Sequence, residues 1–281
     1  EGNKGGVDVD MDVDKDEDAE LYNRRQKLDL QEQAQVRHAR SLRGEEDESV
    51  AKTCVTGTDV CRRDMRRLRD DMRDDTDMYL TDELVNGWME LLAQRTGPDA
   101  RVHFVNSHFY SELARGGFQH SKVKHYTGAN ESRYIDIFAK DKVIVPINVD
   151  NQHWLLTVIF VTEKTIQCYN SSGIGSGIGI TKHLRDYLKD ELLSRKEEHL
   201  VETEWTLTPT EECTPQQANG YDCGVYTCLA ADYIAAGETA LRYTQAEMPY
   251  FRRRLAIRLL QGSLQREQKR EALRASGEPV E

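Results

Sequence analysis

One cysteine of this chain lies where its thiol could act as a nucleophile. Cys223 closely follows Asn219-Gly220, a turn dipeptide because Gly, and to a lesser degree Asn, tolerates positive φ. Apolar residues then recur at helical spacing, at Val225, Tyr226, Leu229 and Tyr233. The sequence therefore predicts Cys223 at or near the first turn of a helix, where the helix dipole and unpaired N–H groups lower a thiol pKa. A buried core cysteine is the alternative.

A nucleophilic cysteine needs a base, and the base usually needs an orienting partner. His153 ends a polar turn and begins a predicted strand, a position from which functional groups are presented; an exposed turn histidine is the alternative. Asn170 follows the next strand along the chain and is the candidate orienting residue. Gln217, six residues before Cys223 (223 − 217), is a candidate donor to an oxyanion, together with the backbone N–H of Cys223.

The elements that must position these residues form a strand meander between helices. Strand signals cover 142–149, 154–161 and 165–169, with connections short enough to imply antiparallel neighbours. A further strand candidate covers 202–208. Helices are predicted at about 81–94, 181–195, 223–236 and 245–261. This order indicates an α+β domain.

Three regions divide the chain. Residues 1–77 form an acidic and charged extension, largely disordered or helical; residues 78–262 form the compact domain; residues 263–281 form a charged tail. The alternating Asp residues of 8–18 lack the Gly and Glu register of a calcium loop. The Arg- and Asp-rich stretch 61–77 is interpreted as a self-neutralising helix or linker, with a basic localisation or docking segment as the alternative.

Composition narrows the class of protein. With a formal net charge of −11, the chain of 281 residues is not expected to bind nucleic acid. No apolar run is long enough for a membrane span, so no membrane partner is expected. The six cysteines show no secreted disulfide framework, which indicates a reducing, intracellular compartment. Because the first residue is Glu, we expect a fragment or a processed chain.

Neither a cofactor nor a metal is expected. The glycine-rich stretch 173–179 has Ile178 where a dinucleotide-binding loop would need its last Gly, and no phosphate-loop Lys follows. The cysteines lack the paired spacing of a structural zinc site. Cys168 and Cys228 are interpreted as core residues.

The order His, Asn, Gln, Cys carries a family resemblance. His153-Trp154, Tyr169-Asn170-Ser171 and the stretch 215–224, which reads Pro-Gln-Gln-Ala-Asn-Gly-Tyr-Asp-Cys-Gly, closely resemble the ubiquitin-like-protein-specific (SUMO/sentrin) cysteine proteases. Upstream, the stretches 79–86, 105–110 and 145–148 also resemble that family. The resemblance covers about residues 79–261.

The resemblance implies a papain-like α+β fold, with a central, mostly antiparallel sheet flanked by helices. It implies hydrolysis of the peptide or isopeptide bond after the C-terminal Gly-Gly of SUMO, in precursor maturation or deconjugation. Cys223 would attack the carbonyl, His153 would protonate the leaving amine, and Gln217 would help to hold the oxyanion.

The resemblance also implies substrate-binding residues. Trp154 and Tyr79 would cover a narrow channel that admits only the two glycines, and Gly220 and Gly224 would also bind substrate. The family usually has Trp at the position of Tyr79. Asp82 would pair with a basic residue of the modifier. The implied partners are SUMO or a related ubiquitin-like protein and its conjugates, bound by a monomer in the nucleus, by family analogy, or in the cytoplasm.

One departure from the family concerns Asn170, where the family has Asp. An amide can still orient an imidazole and set its tautomer, but it lacks the charge that stabilises imidazolium. We expect a working enzyme whose rate this difference could lower. The alternatives are a protease for another ubiquitin-like modifier and a weakly active or inactive modifier-binding module.

Overall fold

The computed structural model describes residues 34, 49–52, 59–69, 78–97, 100–115, 119–128, 135–173, 175, 177–209, 214–238 and 240–276. The acidic stretch 1–20 lies outside these residues, as do residues 70–77 of the Arg- and Asp-rich stretch and residues 277–281.

The described residues form two sheets. A small antiparallel pair consists of β1 (Ser49–Lys52) and β2 (Asp59–Cys61). The central sheet has five strands in the order of the chain: β3 (Val102–Phe104), β4 (Lys142–Val149), β5 (His153–Phe160), β6 (Thr165–Tyr169) and β7 (Thr206–Thr208). The pairs β4–β5 and β5–β6 are antiparallel, which confirms the predicted meander. The edge pairs β3–β4 and β6–β7 are parallel, so the sheet is mixed.

Between residues 49 and 276, the described part of the chain has six α-helices beside the sheets. They are α1 (Arg62–Arg66), α2 (Asp82–Thr96), α3 (His108–Ala114), α4 (Ile178–Lys196), α5 (Cys223–Ala235) and α6 (Met248–Ser276). Short 3-10 turns cover His120–Lys122, Lys124–Thr127, Ile137–Ala139, Glu202–Glu204 and Gln245–Glu247. None of the helices among these residues combines the length and apolar character that a membrane crossing would require.

The central strand β5 separates two hydrophobic clusters because its side chains alternate between the faces of the sheet. Trp154, Leu156 and Val158 belong to a cluster built largely with α2, α5 and α6. Leu155 and Ile159 belong to a second cluster, built with α3 and α4. Covering both faces gives the α+β architecture that the sequence predicted.

Three elements differ from the sequence-based expectations. Val60 and Leu68 are fully buried in the cluster with α2 and α5, so the described packing extends upstream of residue 78. The backbone of α6 stays helical to Ser276, well past the expected end near residue 261. The strand expected over 202–208 is a 3-10 turn followed by the three residues of β7.

Candidate active site

Cys223 is the first residue of α5, as the sequence predicted. The preceding turn is formed differently from the expectation, because neither Asn219 nor Gly220 has positive φ. The Asn219 side-chain oxygen instead accepts hydrogen bonds from the backbone N–H groups of Tyr221 (3.2 Å) and Asp222 (3.0 Å). Such a side-chain turn lets Asn replace a backbone turn without a left-handed residue.

The expected lowering of the Cys223 pKa is wrong for the protein in this structure. Burial raises the pKa of the Cys223 thiol, and the carboxylate of Asp222 acts in the same direction. The backbone N–H groups of Trp154 and Gly224 favour the thiolate and oppose this rise without overcoming it. The thiol has no exposed surface, so the desolvation of a thiolate outweighs the helix start.

The structure brings His153 and Asn170 together across the β5–β6 strand ends. His153 Nε2 lies 2.8 Å from Asn170 Oδ1. Because a carbonyl oxygen can only accept, Nε2 carries the proton and Nδ1 is left as the basic nitrogen. The backbone of His153 also lies near the thiol, because the backbone N–H of the next residue, Trp154, donates a hydrogen bond to the Cys223 sulfur.

Ser172 joins the His153–Asn170 pair, and the sequence analysis missed it. Its backbone N–H (3.1 Å) and its hydroxyl (3.0 Å) both donate to Asn170 Oδ1. The Ser172 hydroxyl oxygen also lies 3.2 Å from His153 Nε2. Its place two residues after the candidate orienting residue was the available signal, because side chains at such a spacing in a turn reach back to one another.

Gln217 has a fixed amide orientation that suits an oxyanion donor. Its Oε1 accepts the Ser171 hydroxyl at 2.7 Å, and its Nε2 donates to the Asn219 carbonyl at 2.7 Å. Its backbone N–H donates to the Ser171 carbonyl at 2.8 Å. An amide nitrogen carries two N–H groups, so one remains for a ligand. Ser171 is a second residue whose supporting contact the sequence did not reveal.

A cavity of about 890 Å³ opens beside these residues. Its lining includes His153, Asn170, Ser172, Gln217 and Gly220, together with Tyr79. A Cβ atom on Gly220 would lie 3.7 Å from the Tyr79 hydroxyl, so a larger side chain at 220 would narrow the passage between these residues.

Cys223, Trp154, Gly224 and Asp82 are not among the residues that line this cavity. Trp154 is 2% exposed, and its indole N–H donates to the Leu80 carbonyl at 2.8 Å. Gly224 also serves packing, because a Cβ there would lie 2.8 Å from Leu80 Cβ. Asp82 lies at the start of α2, where one carboxylate oxygen accepts the Ser107 hydroxyl at 2.5 Å.

Two further cysteines are core residues, as the sequence analysis interpreted them. Cys168 and Cys228 have no exposed surface, and burial raises the pKa of the Cys168 thiol to about 11. Among the residues that the structure describes, no group of three or more His, Cys, Asp or Glu could hold a metal ion.

Comparison with known proteins identifies the family of the chain. Residues 78–263 match the Ulp1 protease family, C-terminal catalytic domain. A sentrin-specific protease of Caenorhabditis elegans is 33% identical over 189 residues, which are 66% of this chain and 26% of that protein. Human Sentrin-specific protease 2 is 34% identical over 191 residues, 66% of this chain and 30% of that protein. The putative ubiquitin-like-specific protease 1B of Arabidopsis thaliana is 34% identical over 187 residues, 65% of this chain and 54% of that protein. The aligned segments thus span between 26% and 54% of these relatives.

Solved structures share the fold over most of the chain. The SUMO protease Ulp1 with its catalytic cysteine oxidised to a sulfinic acid is 25% identical, with a TM-score of 0.68 over 85% of this chain and 97% of that one. The C-terminal Ulp1 protease domain in complex with Smt3, the yeast ortholog of SUMO, gives the same values. The matched region covers more than half of the chain and contains His153, Asn170, Gln217 and Cys223. The chain therefore belongs to the Ulp1 protease family.

Proposed function

We propose that this chain is a cysteine protease that hydrolyses the peptide or isopeptide bond after the C-terminal Gly-Gly of SUMO. One observation carries the proposal. His153 Nε2 lies 2.8 Å from Asn170 Oδ1 while the backbone N–H of the adjacent Trp154 acts on the Cys223 thiol. Nucleophilic catalysis by cysteine requires an oriented base near the thiol, and here the oriented imidazole belongs to the residue next to one whose backbone N–H reaches the thiol.

The acylation step begins from the protonated Cys223 thiol. His153 Nδ1 takes the Cys223 proton as the sulfur attacks the carbonyl carbon of the second glycine. The C–N bond then breaks, and the same proton leaves on the departing amine, so that a thioester remains on Cys223. Asn170 keeps the imidazole oriented during both transfers.

Deacylation returns the enzyme to its starting state. Water attacks the thioester carbonyl and gives one proton to His153, which passes it to the sulfur as the C–S bond breaks. The Cys223 thiol is restored, and the Gly-Gly acid releases its remaining proton to solvent as it departs as a carboxylate. In both steps the developing oxyanion is held by the Gln217 amide and the Cys223 backbone N–H.

Specificity for glycine is proposed to come from the passage between Tyr79 and Gly220, which line one cavity with His153. Asp82, with a half-buried carboxylate at the start of α2, is proposed to pair with a basic residue of the modifier. Trp154 is proposed to affect substrate binding indirectly, because its indole N–H donates a hydrogen bond to the backbone carbonyl of Leu80 and so positions that segment. Gly224 is proposed to act by allowing that segment to approach α5.

Relatives support SUMO as the partner. The proteins that resemble this chain include sentrin-specific proteases and a Ulp1 domain bound to Smt3. By the same analogy we propose a nuclear or cytoplasmic location and a monomeric enzyme. The division into an extension over 1–77, a protease domain over 78–262 and a tail over 263–281 stays a prediction.

A modifier-binding module is the second candidate, and two observations favour it. Asn170 brings no negative charge to the imidazole, and burial raises the pKa of the Cys223 thiol. Such a module would hold the modifier in the same cavity without cutting it.

One experiment separates these functions. The protein and its Cys223→Ala variant are incubated with a panel of ubiquitin-like modifiers that each carry a C-terminal electrophile. We expect a covalent adduct with SUMO that the variant does not form. An adduct with a different modifier would identify that modifier as the substrate. Binding of a modifier to both the protein and the Cys223→Ala variant, without an adduct, would establish the module.

A further inference from the structure

We propose that Ser172 is a positioning residue for His153, and that its hydroxyl gives the Asn170 amide support that a carboxylate would not need. The inference rests on the proposed function, since it concerns the base of that reaction. It depends on the geometry of three side chains at the ends of β5 and β6.

Three polar atoms form a closed triangle at this point. Asn170 Oδ1 lies 2.8 Å from His153 Nε2 and 3.0 Å from the Ser172 hydroxyl oxygen. The third side, between the Ser172 hydroxyl oxygen and His153 Nε2, is 3.2 Å. All three distances are within hydrogen-bond range, and Asn170 is only 2% exposed, so solvent competes little for its oxygen.

An amide must be held in one orientation to do the work of a carboxylate. If the Asn170 side chain rotated by half a turn, its NH2 group would face His153 Nε2. The imidazole would then carry its proton on Nδ1, the nitrogen that must accept the thiol proton, and the base would be lost. A carboxylate has no such wrong orientation, because both of its oxygens accept.

Ser172 opposes this rotation with two donors. Its backbone N–H lies 3.1 Å from Asn170 Oδ1 and can only donate, so after the rotation it would face an NH2 group that also only donates. Its hydroxyl adds a second donor to the same oxygen. The hydroxyl oxygen also lies close enough to Nε2 to share its proton when the imidazole becomes charged, which partly offsets the missing negative charge.

The turn that carries Ser172 is itself fixed. Gln216 Nε2 donates to the backbone carbonyls of Asn170 (3.1 Å) and Thr214 (2.9 Å). Gly173 has φ +65°, and a Cβ atom there would lie 3.1 Å from Gln216 Oε1. The side chain of Ser172 therefore reaches the triangle from a backbone held by neighbours on both sides.

The test measures kcat and KM separately, with SUMO carrying a C-terminal fluorogenic amide as substrate. We expect Ser172→Ala to lower kcat by about two- to tenfold, the effect of one net hydrogen bond, with KM unchanged. Ser172→Thr retains the hydroxyl and should restore kcat. Ser111→Ala is the matched control, because that hydroxyl donates to the His108 carbonyl within α3, away from the site.

A double-mutant cycle tests whether the hydroxyl acts on the amide. In an Asn170→Asp background, Ser172→Ala should change kcat by less than about twofold, because the carboxylate needs no orienting donor. An equal loss of kcat in both backgrounds would overturn the inference. So would a rise in KM at constant kcat, which would make Ser172 a substrate contact of the cavity.

The ¹⁵N NMR spectrum of His153 provides a readout independent of turnover. We expect the Nε2–H tautomer to dominate in the protein and the Nδ1–H form to increase in Ser172→Ala, but not in Ser111→Ala. An unchanged tautomer ratio in Ser172→Ala would contradict the positioning role. If the protein cleaves no modifier, the proposed function fails, and the tautomer ratio still decides the inference about Ser172.

Discussion

Asp222 and Arg252 form a buried ion pair directly before the candidate nucleophile. Arg252 donates from Nε (2.8 Å) and Nη2 (2.6 Å) to Asp222 Oδ1, and both side chains are at most 3% exposed. The same guanidinium donates from Nη1 to the backbone carbonyls of Arg67 (2.6 Å) and Met78 (3.0 Å). One side chain of α6 therefore ties the turn before Cys223 to two upstream segments.

Removing that guanidinium should destabilise the fold. We expect Arg252→Ala to lower the free energy of unfolding by about 3–5 kcal/mol, because it leaves the Asp222 carboxylate buried without its cation. Urea denaturation followed by circular dichroism measures the change. Arg101→Ala is the control, since it breaks the exposed Arg101–Asp141 pair and should have a far smaller effect. Equal effects of the two variants would contradict a special role of the buried pair.

Gly224 should tolerate no side chain. A Cβ atom there would lie 2.8 Å from Cβ and 2.9 Å from Cγ of Leu80, so Gly224→Ala must move a segment that also holds Trp154. We expect a loss of about 1–3 kcal/mol of stability, the usual cost of overpacking, together with reduced cleavage. Thermal unfolding measures the change in stability, and a fluorogenic assay measures cleavage.

Gly179→Ala is the matched control for that variant. Gly179 lies in α4, and a Cβ atom there would meet nothing within 4 Å. Ala is the better helix former, so this change should be neutral or slightly stabilising. A comparable loss of stability in both glycine variants would show that contact with Leu80 is not the cause.

Asn170→Asp should preserve or raise activity. Asn170 Oδ1 accepts from three donors: the His153 ring N–H, the Ser172 N–H and the Ser172 hydroxyl. A carboxylate can accept from all three and adds the charge that stabilises imidazolium. Asn170→Ala should instead lower kcat by about 10²-fold or more, as expected for loss of an oriented base.

The control for the added charge is Asn106→Asp, before α3, which should leave kcat unchanged. Steady-state kinetics on a SUMO substrate measure all three variants. If Asn170→Asp lowers kcat, the amide is adapted to this site, and our interpretation of it as a compromise fails.

Alkylation of Cys223 should increase as the pH rises. Burial raises the pKa of this thiol, so at neutral pH most of it is protonated and the reactive thiolate is the minor form. We expect the rate of reaction with iodoacetamide to rise with pH to a midpoint above that of a free cysteine, about 8.5. Mass spectrometry of the Cys223 peptide measures the rate.

The Cys223→Ser variant corrects for reaction of the remaining cysteines. A midpoint at or below neutral pH would contradict the raised pKa and restore the expectation based on the helix start.

The sequence predicted those parts of the site that depend on local pattern. Alternation and short turns revealed the meander of β4, β5 and β6, and helical spacing after the turn revealed α5. Each signal lies within a few residues of the chain, where backbone preference and side-chain periodicity decide the structure. The order of His153, Asn170, Gln217 and Cys223 added the family resemblance.

Packing upstream of the predicted domain did not follow from local pattern. The charged stretch after Cys61 contains four side chains that become buried, namely Arg62, Asp64, Met65 and Leu68. Asp64 caps α1 by accepting the Cys61 backbone N–H at 2.8 Å and also accepts the Thr81 hydroxyl at 3.1 Å. The bond from Thr81 joins residues that lie far apart in sequence, so the periodicity within the charged stretch does not predict it.

By itself the sequence determined which residues could do the chemistry, because residue type sets what a side chain can donate, accept or attack with. Only the tertiary structure decided how those residues are held and how reactive they are. The triangle of His153, Asn170 and Ser172 exists because two strand ends meet across the sheet. Burial, which the local sequence does not contain, reversed the expected direction of the Cys223 pKa.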